Sequence, residues 1–471
     1  MQKDVRVACN AYLADRLELE LTADLAPDAT TNMTTLPRPL LRAALQAAGA
    51  TLEPSVSPAL AIKYGLTRLY TVRLPSLPLA VRDQAAEGLL RALKAIPSEV
   101  ARVARVPVPR APGFDPFVHE RDRVVFPEDC PCGTQWYLHR TNIPEAWKMG
   151  ANGDGVVVVV VDWGFATEHP ELPVHSATKP GALEMTHAFN ACAPGSAVVP
   201  GPDAAHGVAT TGLLGARMDG VGMQGVAFRS RIWPMLASCS GAPGGCDDAA
   251  MTWTSGKNPW AEAIVQAIDE PSQERRKVLL LEVQSCCMGN YEASLAVEGA
   301  IKRAIDRGIV VVLAAGNGNR DAGCDEAGNV IVRTKAIVVG ATVYAKDALD
   351  GRSNYGERLD VSAPGDADFD LTLAPPGETC APGMGYRKSF GGTSGAAAKV
   401  AGVAALMLDK CRKLTPEDVR DILVRAGAET QIFRMDRDPA NPNDPGTRRR
   451  GGSFLNAAKA VKMAEEVCAL R

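Results

Sequence analysis

The chain has 471 residues, 46% hydrophobic and 22% charged, which is enough for two or three domains with cores of their own. Its formal net charge is −3, so no basic surplus points to nucleic acid or to an anionic membrane surface. No apolar run approaches the roughly 18 residues of a membrane span. The opening stretch MQKDVRVACNAYLADRLELELTADL lacks a basic region followed by an apolar one; the expectation is a cytoplasmic protein, or a secreted one if a leader has been removed.

In chain order, the first predicted elements are LTRLYTVRL (residues 66–74) as a strand, VRDQAAEGLLRALKAI (81–96) as an amphipathic helix and VARVARVPV (100–108) as a second strand. Strand, helix, strand predicts a small N-terminal α/β domain over residues 1–110. Residues 111–134, rich in proline, glycine and charge, have the composition of a linker. A larger domain then fills residues 135–471. GVVVVVVD (155–162), KVLLLEVQ (277–284), GIVVVLAAGN (308–317) and KAIVVGAT (335–342) are continuous apolar runs. Such runs imply strands buried on both faces, hence a parallel sheet. Helical stretches lie between them: HGVATTGLLGAR, NPWAEAIVQAID and SLAVEGAIKRAIDR. Strand and helix in alternation predict an α/β, doubly wound fold. The last helix is GGTSGAAAKVAGVAALML (391–408), apolar or small on nearly every side.

Twelve cysteines permit six bridges without requiring any. The pairs Cys130/Cys132, Cys239/Cys246 and Cys286/Cys287 belong to no zinc-binding array, so neither metal nor cofactor is expected. In a reducing compartment these cysteines are mostly thiols. The loop DRDPANPND (436–444) has oxygen ligands at calcium-like spacing, but its prolines and missing terminal Glu favour a solvated loop.

Functional groups in doubly wound folds gather where strands end and helices begin. Asp162 closes the first apolar run, His206 opens a helix, Asn317 closes the third run and Ser394 begins the last helix. An acid, an imidazole, a hydroxyl and an amide donor are what nucleophilic acyl transfer needs. Taken singly, Ser394 could equally be a helix cap and Asp162 a turn residue. His169, in TEHPEL, is a rival base, read as structural.

VVVVDWG, HGVATTG, AAGN and GGTSGAAAKVAG, in that order, resemble the Asp, His, oxyanion-Asn and Ser motifs of the subtilisin-like (subtilase) serine endopeptidases. QWYLHRTNIPEAW, SNYGERLDVSAPG and GGSFLNAAKAV resemble flanking segments, and the likeness spans roughly residues 135–465. The resemblance implies a subtilisin-like catalytic domain that cleaves peptide bonds through Asp162, His206 and Ser394, with Asn317 in the oxyanion hole. It implies a protein or peptide substrate. The N-terminal domain more weakly resembles the propeptides of such enzymes, so it is either an intramolecular inhibitor or a permanent accessory domain. Four features depart from the family: Trp163 after the Asp, Val208 after the His, GAAAK (395–399) after the Ser, and EVQSCC (282–287) in place of an Asn-Met-Ser-like segment. Two alternatives remain open, a catalytically silent peptide-binding homologue and a non-peptidase serine hydrolase. Asp321, Asp325 and Glu326, after the oxyanion Asn, predict cleavage after Arg or Lys, for instance at Arg110, Arg121 or Arg123, unless these acids are solvated loop residues.

Overall fold

The computed structural model describes residues 12–25, 36–75, 79–107, 109–110, 135–176, 181–196, 204–218, 223–237, 258–271, 276–285, 288–325, 327–344, 346–366, 370, 372–374, 385–387, 390–436 and 446–471. The predicted linker 111–134 and the pairs Cys130/Cys132, Cys239/Cys246 and Cys286/Cys287 lie outside the described residues, as do Glu326 and most of the calcium-like loop.

In the first strand, β1 (Tyr12–Leu21), Leu17, Leu19 and Leu21 alternate with Arg16, Glu18 and Glu20, and the three leucines are fully buried. After it come α1 (Pro39–Ala47), β2 (Thr51–Pro54), α2 (Pro58–Tyr64), β3 (Leu69–Arg73), α3 (Leu79–Lys94) and β4 (Val100–Pro107). The predicted strand, helix and strand are β3, α3 and β4. The sheet they join runs β2-β3-β1-β4 and is antiparallel throughout. The leucines of β1 pack on Leu41 and Leu45 of α1 and on Leu89, Leu90 and Leu93 of α3. The opposite face of the sheet carries the charges and turns towards the larger domain.

The larger domain begins with α4 (Trp136–Arg140) and α5 (Ile143–Lys148), after a two-residue strand β5 (Pro109–Arg110). Its elements then run β6 (Val156–Asp162), β7 (Phe189–Asn190), α6 (Ala204–Gly215), β8 (Arg231–Leu236), α7 (Pro259–Asp269), β9 (Arg276–Leu281), β10 (Gln284–Ser285), α8 (Leu295–Asp306), β11 (Val310–Ala314) and β12 (Ile337–Thr342). They close with β13 (Val361–Pro364), β14 (Thr372–Leu373), β15 (Tyr386–Arg387), α9 (Gly392–Lys410), α10 (Pro416–Ala426), β16 (Gln431–Asp436), β17 (Thr447–Phe454) and α11 (Ala457–Ala469). Nine strands form one sheet in the order β16-β17-β13-β12-β11-β9-β6-β8-β7, parallel except for β16 against β17.

The alternation of β6 explains why the sheet is covered on both sides. Val156, Val158 and Val160 face a layer containing α6, α9, α10 and α11. Val157, Val159 and Val161 face α7 and α8. The chain leaves β6 first towards β8 and then returns to β9 on its other side, so the strand order reverses at β6. Ligand sites of open α/β sheets form at the carboxyl ends of strands beside such a reversal. Asp162 is the last residue of β6, and Asn317 follows β11 in the next turn.

The small domain docks on the α7/α8 face. Glu18 of β1 accepts from Asn258 Nδ2 at 2.9 Å, from Ser294 Oγ at 2.9 Å and from Ala296 N at 3.2 Å. Asn258 and Ser294 are themselves the N-caps of α7 and α8. Ser57 N donates to Glu262 Oε2 at 2.8 Å, and Arg102 and Lys63 pair with Glu298 and Asp269. Beyond the small sheet, β5 pairs antiparallel with β10, Arg110 opposite Gln284 and Pro109 opposite Ser285.

Among the described cysteines the expectation of mostly reduced thiols does not hold. Four cysteines are described; Cys411 and Cys468 form a disulfide, Cys192 is also disulfide-bonded, and only Cys324 is a thiol. Helix α11 packs along α9 and brings Cys468 to the residue that ends α9. Among the described residues, no group of His, Cys, Asp and Glu is arranged to hold a metal, and no helix is long and apolar enough to cross a membrane.

Candidate active site

Asp162 is fully buried at the end of β6. Its Oδ1 accepts from Trp163 N at 2.7 Å, which fixes the carboxylate in the turn after the strand. His206 Nδ1 then meets both carboxylate oxygens, Oδ1 at 2.8 Å and Oδ2 at 3.0 Å. This contact selects the tautomer with the proton on Nδ1 and reserves Nε2 for the opposite side of the ring. The ring is held by its place in the first turn of α6, where Phe390 stands edge-on at 5.0 Å. Gly207 is required for that placement: a Cβ there would lie 1.8 Å from the carbonyl oxygen of Gly164.

Ser394 is the third residue of α9, fully buried, and not its cap. The N-cap is Gly391, and no side chain caps the helix. The cap alternative therefore fails, and the Ser394 hydroxyl forms no hydrogen bond among the described residues. Asn317 is half-buried beside the same helix start. Its Oδ1 accepts from Thr393 N at 2.9 Å and Thr393 Oγ1 at 3.1 Å, which turns the amide NH₂ away from the helix. Gly392 has φ +59°, and a Cβ on it would come within 2.8 Å of Asn317 Oδ1, so this turn needs glycine twice over. The backbone N–H of Asn317 donates to Gln284 Oε1 at 2.9 Å.

An acid-bound imidazole thus stands at the carboxyl end of β6, and an oriented amide after β11 lies beside the start of the helix that carries the buried Ser394 hydroxyl. Residues 153–452, well over half of the chain, match the subtilase family (Peptidase S8). The chain belongs to the subtilase family. An extracellular protease of Xanthomonas campestris pv. campestris is 28% identical over 63% of this chain and 52% of that protein. A subtilisin of Bacillus pumilus is 29% identical over 61% of this chain and 88% of that protein. The match thus spans about half the length of the first relative and most of the second. The fold is similar to that of fervidolysin from Fervidobacterium pennivorans, described as a keratinolytic enzyme related to subtilisin: TM-score 0.59, 16% identity, covering 96% of this chain and 61% of that one.

The departures of this subtilase from its family have physical readings. Trp163 turns away from the site and packs on Trp260 of α7, with ring centroids 5.7 Å apart. Val208 is core. Lys399 is buried against Asp370. His169 is structural, as expected: Nε2 donates to Gly385 O at 2.8 Å and Nδ1 accepts from Glu171 N at 3.1 Å, and burial lowers its pKa. Asp321 and Asp325 shape their own loop. Asp321 accepts from Gly323 N, and Asp325 from Ala327 N and Asn329 N. Those contacts favour the loop reading of these acids over a cation-binding one.

One residue beside these groups has no role in the sequence reading. EVQSCC departs from the family's Asn-Met-Ser-like segment, and its first residue, Glu282, is wholly buried with its carboxyl under the electrostatic influence of Asp162, His206 and Ser394 together. The signal was present: KVLLLE ends an apolar strand with a carboxylate, as VVVVVVD does, and the two strands are neighbours.

Proposed function

We propose that this subtilase is a serine endopeptidase with Asp162, His206 and Ser394 as its triad and Asn317 as an oxyanion donor. The observation that carries the reading is the two-oxygen contact of Asp162 with His206 Nδ1, in a chain of the subtilase family. In this scheme His206 Nε2 takes the Ser394 proton as the hydroxyl attacks a peptide carbonyl. Asp162 holds the imidazole and stabilises the imidazolium. The Asn317 amide and the Ser394 backbone N–H stabilise the tetrahedral oxyanion, His206 returns the proton to the leaving amine, and water releases the acyl group.

The small domain acts as an intramolecular inhibitor in this reading. Support comes from β5, which lies antiparallel along β10, where an extended substrate would add a strand. The working compartment is oxidising, outside the cytoplasm. The Cys411–Cys468 disulfide supports this, as does the name of the Xanthomonas relative, an extracellular protease. Both weigh against the cytoplasmic expectation.

The test pairs a fluorophosphonate probe with casein and a short-chain ester. The expected result is covalent labelling and casein hydrolysis by the wild type, both lost in Ser394→Ala. Labelling with ester but no casein turnover would move the protein to another class of serine hydrolase. No labelling by the processed protein would leave a silent peptide-binding homologue.

A further inference from the structure

The hydrolytic scheme gives Glu282 no task, yet Glu282 stands at its centre. Leu281, the last residue of β9, pairs in parallel with Val161 of β6, and Glu282 N donates to Val161 O at 3.1 Å. Glu282 and Asp162 are therefore neighbours on adjacent strands. Their side chains share the face of Leu280 and Val160, the face covered by α6 and α9. Neither oxygen of Glu282 has a hydrogen-bond partner among the described residues. Buried polar groups are nearly always partnered, so an unsatisfied carboxyl beside a buried, equally unsatisfied hydroxyl calls for an explanation.

The electrostatic surroundings are sparse. Asp162 faces Glu282 from β6 and His206 from α6, while α9 presents the neutral Ser394. Lys399, further along α9, is taken by Asp370. On the other side β11 pairs with β9, Leu313 opposite Leu281, so the residues that follow in register are Ala314 and Ala315, both uncharged. Burial above all, with Asp162 adding to it, pushes the Glu282 pKa up to about 8, against the downward pull of His206 and Ser394. Near neutral pH the group is thus a carboxylic acid with a proton to donate.

We propose that Glu282 is a positioning residue for Ser394: its neutral carboxyl donates to the Ser394 hydroxyl oxygen, leaving the hydroxyl's own proton for His206 Nε2. The inference rests on the serine-hydrolase reading above. The Glu282 proton stays on Glu282 throughout; the proton moved in the reaction is that of Ser394, passed through His206 to the leaving amine. When Glu282 ionises it becomes an acceptor. It then holds the Ser394 proton itself and turns the nucleophile from its base, so activity falls as pH rises through the ionisation of Glu282.

The test compares wild type, Glu282→Gln and Glu282→Leu, each purified from the full chain and checked for native near-UV circular dichroism. The readouts are kcat/KM on a fluorogenic peptide and the rate of fluorophosphonate labelling across pH. Wild type should rise as His206 loses its proton and then fall about tenfold per pH unit above about pH 8. Glu282→Gln, whose amide still donates, should keep activity within about threefold of wild type at neutral pH and lose the alkaline fall. Glu282→Leu, which donates nothing, should lose roughly 10–100-fold. An infrared difference between wild type and Glu282→Gln should show a protonated-carboxyl band near pH 6 that disappears by about pH 10. That readout is independent of activity and of how well the Leu variant folds. The same alkaline fall in Glu282→Gln, or no such band, overturns the proposal. A wild type that never labels would refute the hydrolase reading itself, whereas labelling with unchanged profiles refutes only the role of Glu282.

Discussion

Lys399 lies five positions after Ser394 on α9, and no part of it reaches solvent. Its Nζ bonds Asp370 Oδ2 at 2.6 Å and Pro364 O at 2.9 Å, and it sits over the Tyr137 ring at 4.4 Å. Burial draws both partners towards their neutral forms, Lys399 downward and Asp370 up to about 6, while their mutual attraction opposes it. Such a pair adds little net stability compared with apolar residues of similar size, but losing one partner strands the other. Lys399→Met should therefore cost about 3–5 kcal/mol, and adding Asp370→Leu should return most of it. Urea denaturation of the single and double variants decides the point; a double variant no better than the single one would mean the two charges are not coupled. The same residue shows what a sequence hides. A lysine in a helix that is otherwise alanine and valine looks like a solvent-facing break in the apolar stripe. Its buried role depends on Asp370, which is 29 residues away and becomes a neighbour only through the fold.

At the scale of elements, α7 and α8 carry their own caps, Asn258 and Ser294, and both caps then hand a hydrogen to one carboxylate of another domain. Two helix N-termini aimed at one anion are a favourable arrangement, although full burial raises the Glu18 pKa. Glu18→Ala leaves Asn258 Nδ2, Ser294 Oγ and Ala296 N without that acceptor. It should lower the stability of the docked chain by about 2–3 kcal/mol, and Glu18→Gln, which keeps one acceptor oxygen, by less. In a Ser394→Ala background, amide exchange at the first turns of α7 and α8 should quicken in Glu18→Ala; unchanged exchange would show that the domain is held elsewhere. Long uniform elements were the legible ones. The runs that became β6, β9, β11 and β12 could be read because burial on both faces leaves them purely apolar. The strand β1 escaped notice because its second face is charged and meets helix ends, not solvent or a hydrophobic layer. Asp162, His206, Asn317 and Ser394 could be singled out because each sits where a pattern stops. Glu282 sits at such a stop too, but the groups around it, Asp162, His206 and Ser394, come from three different elements and share no local pattern with it.

For the whole molecule, the parallel sheet sets the site and the last helices lock it. Helix α9 runs from Ser394 beneath the sheet to Cys411, and α11 returns along it to Cys468. The disulfide therefore ties the far end of α9 to α11, closing a separation of 57 residues. Cross-linking a loop of that length restricts the unfolded chain and is worth typically 2–4 kcal/mol. The α9 helix can make this link only if the chain matures where thiols oxidise, so the bridge bears on stability and on location together. Protein isolated without reductant and denatured under alkylating conditions should label at Cys324 and remain blocked at Cys411 and Cys468. A Cys411→Ala/Cys468→Ala variant should unfold at lower urea by an amount corresponding to about 2–4 kcal/mol, with little change in the dependence on denaturant. Its midpoint should no longer respond to reductant through this bridge. If Cys411 and Cys468 alkylate freely in protein taken from its native compartment, α9 is held by packing alone, and the case for an oxidising environment loses its structural support.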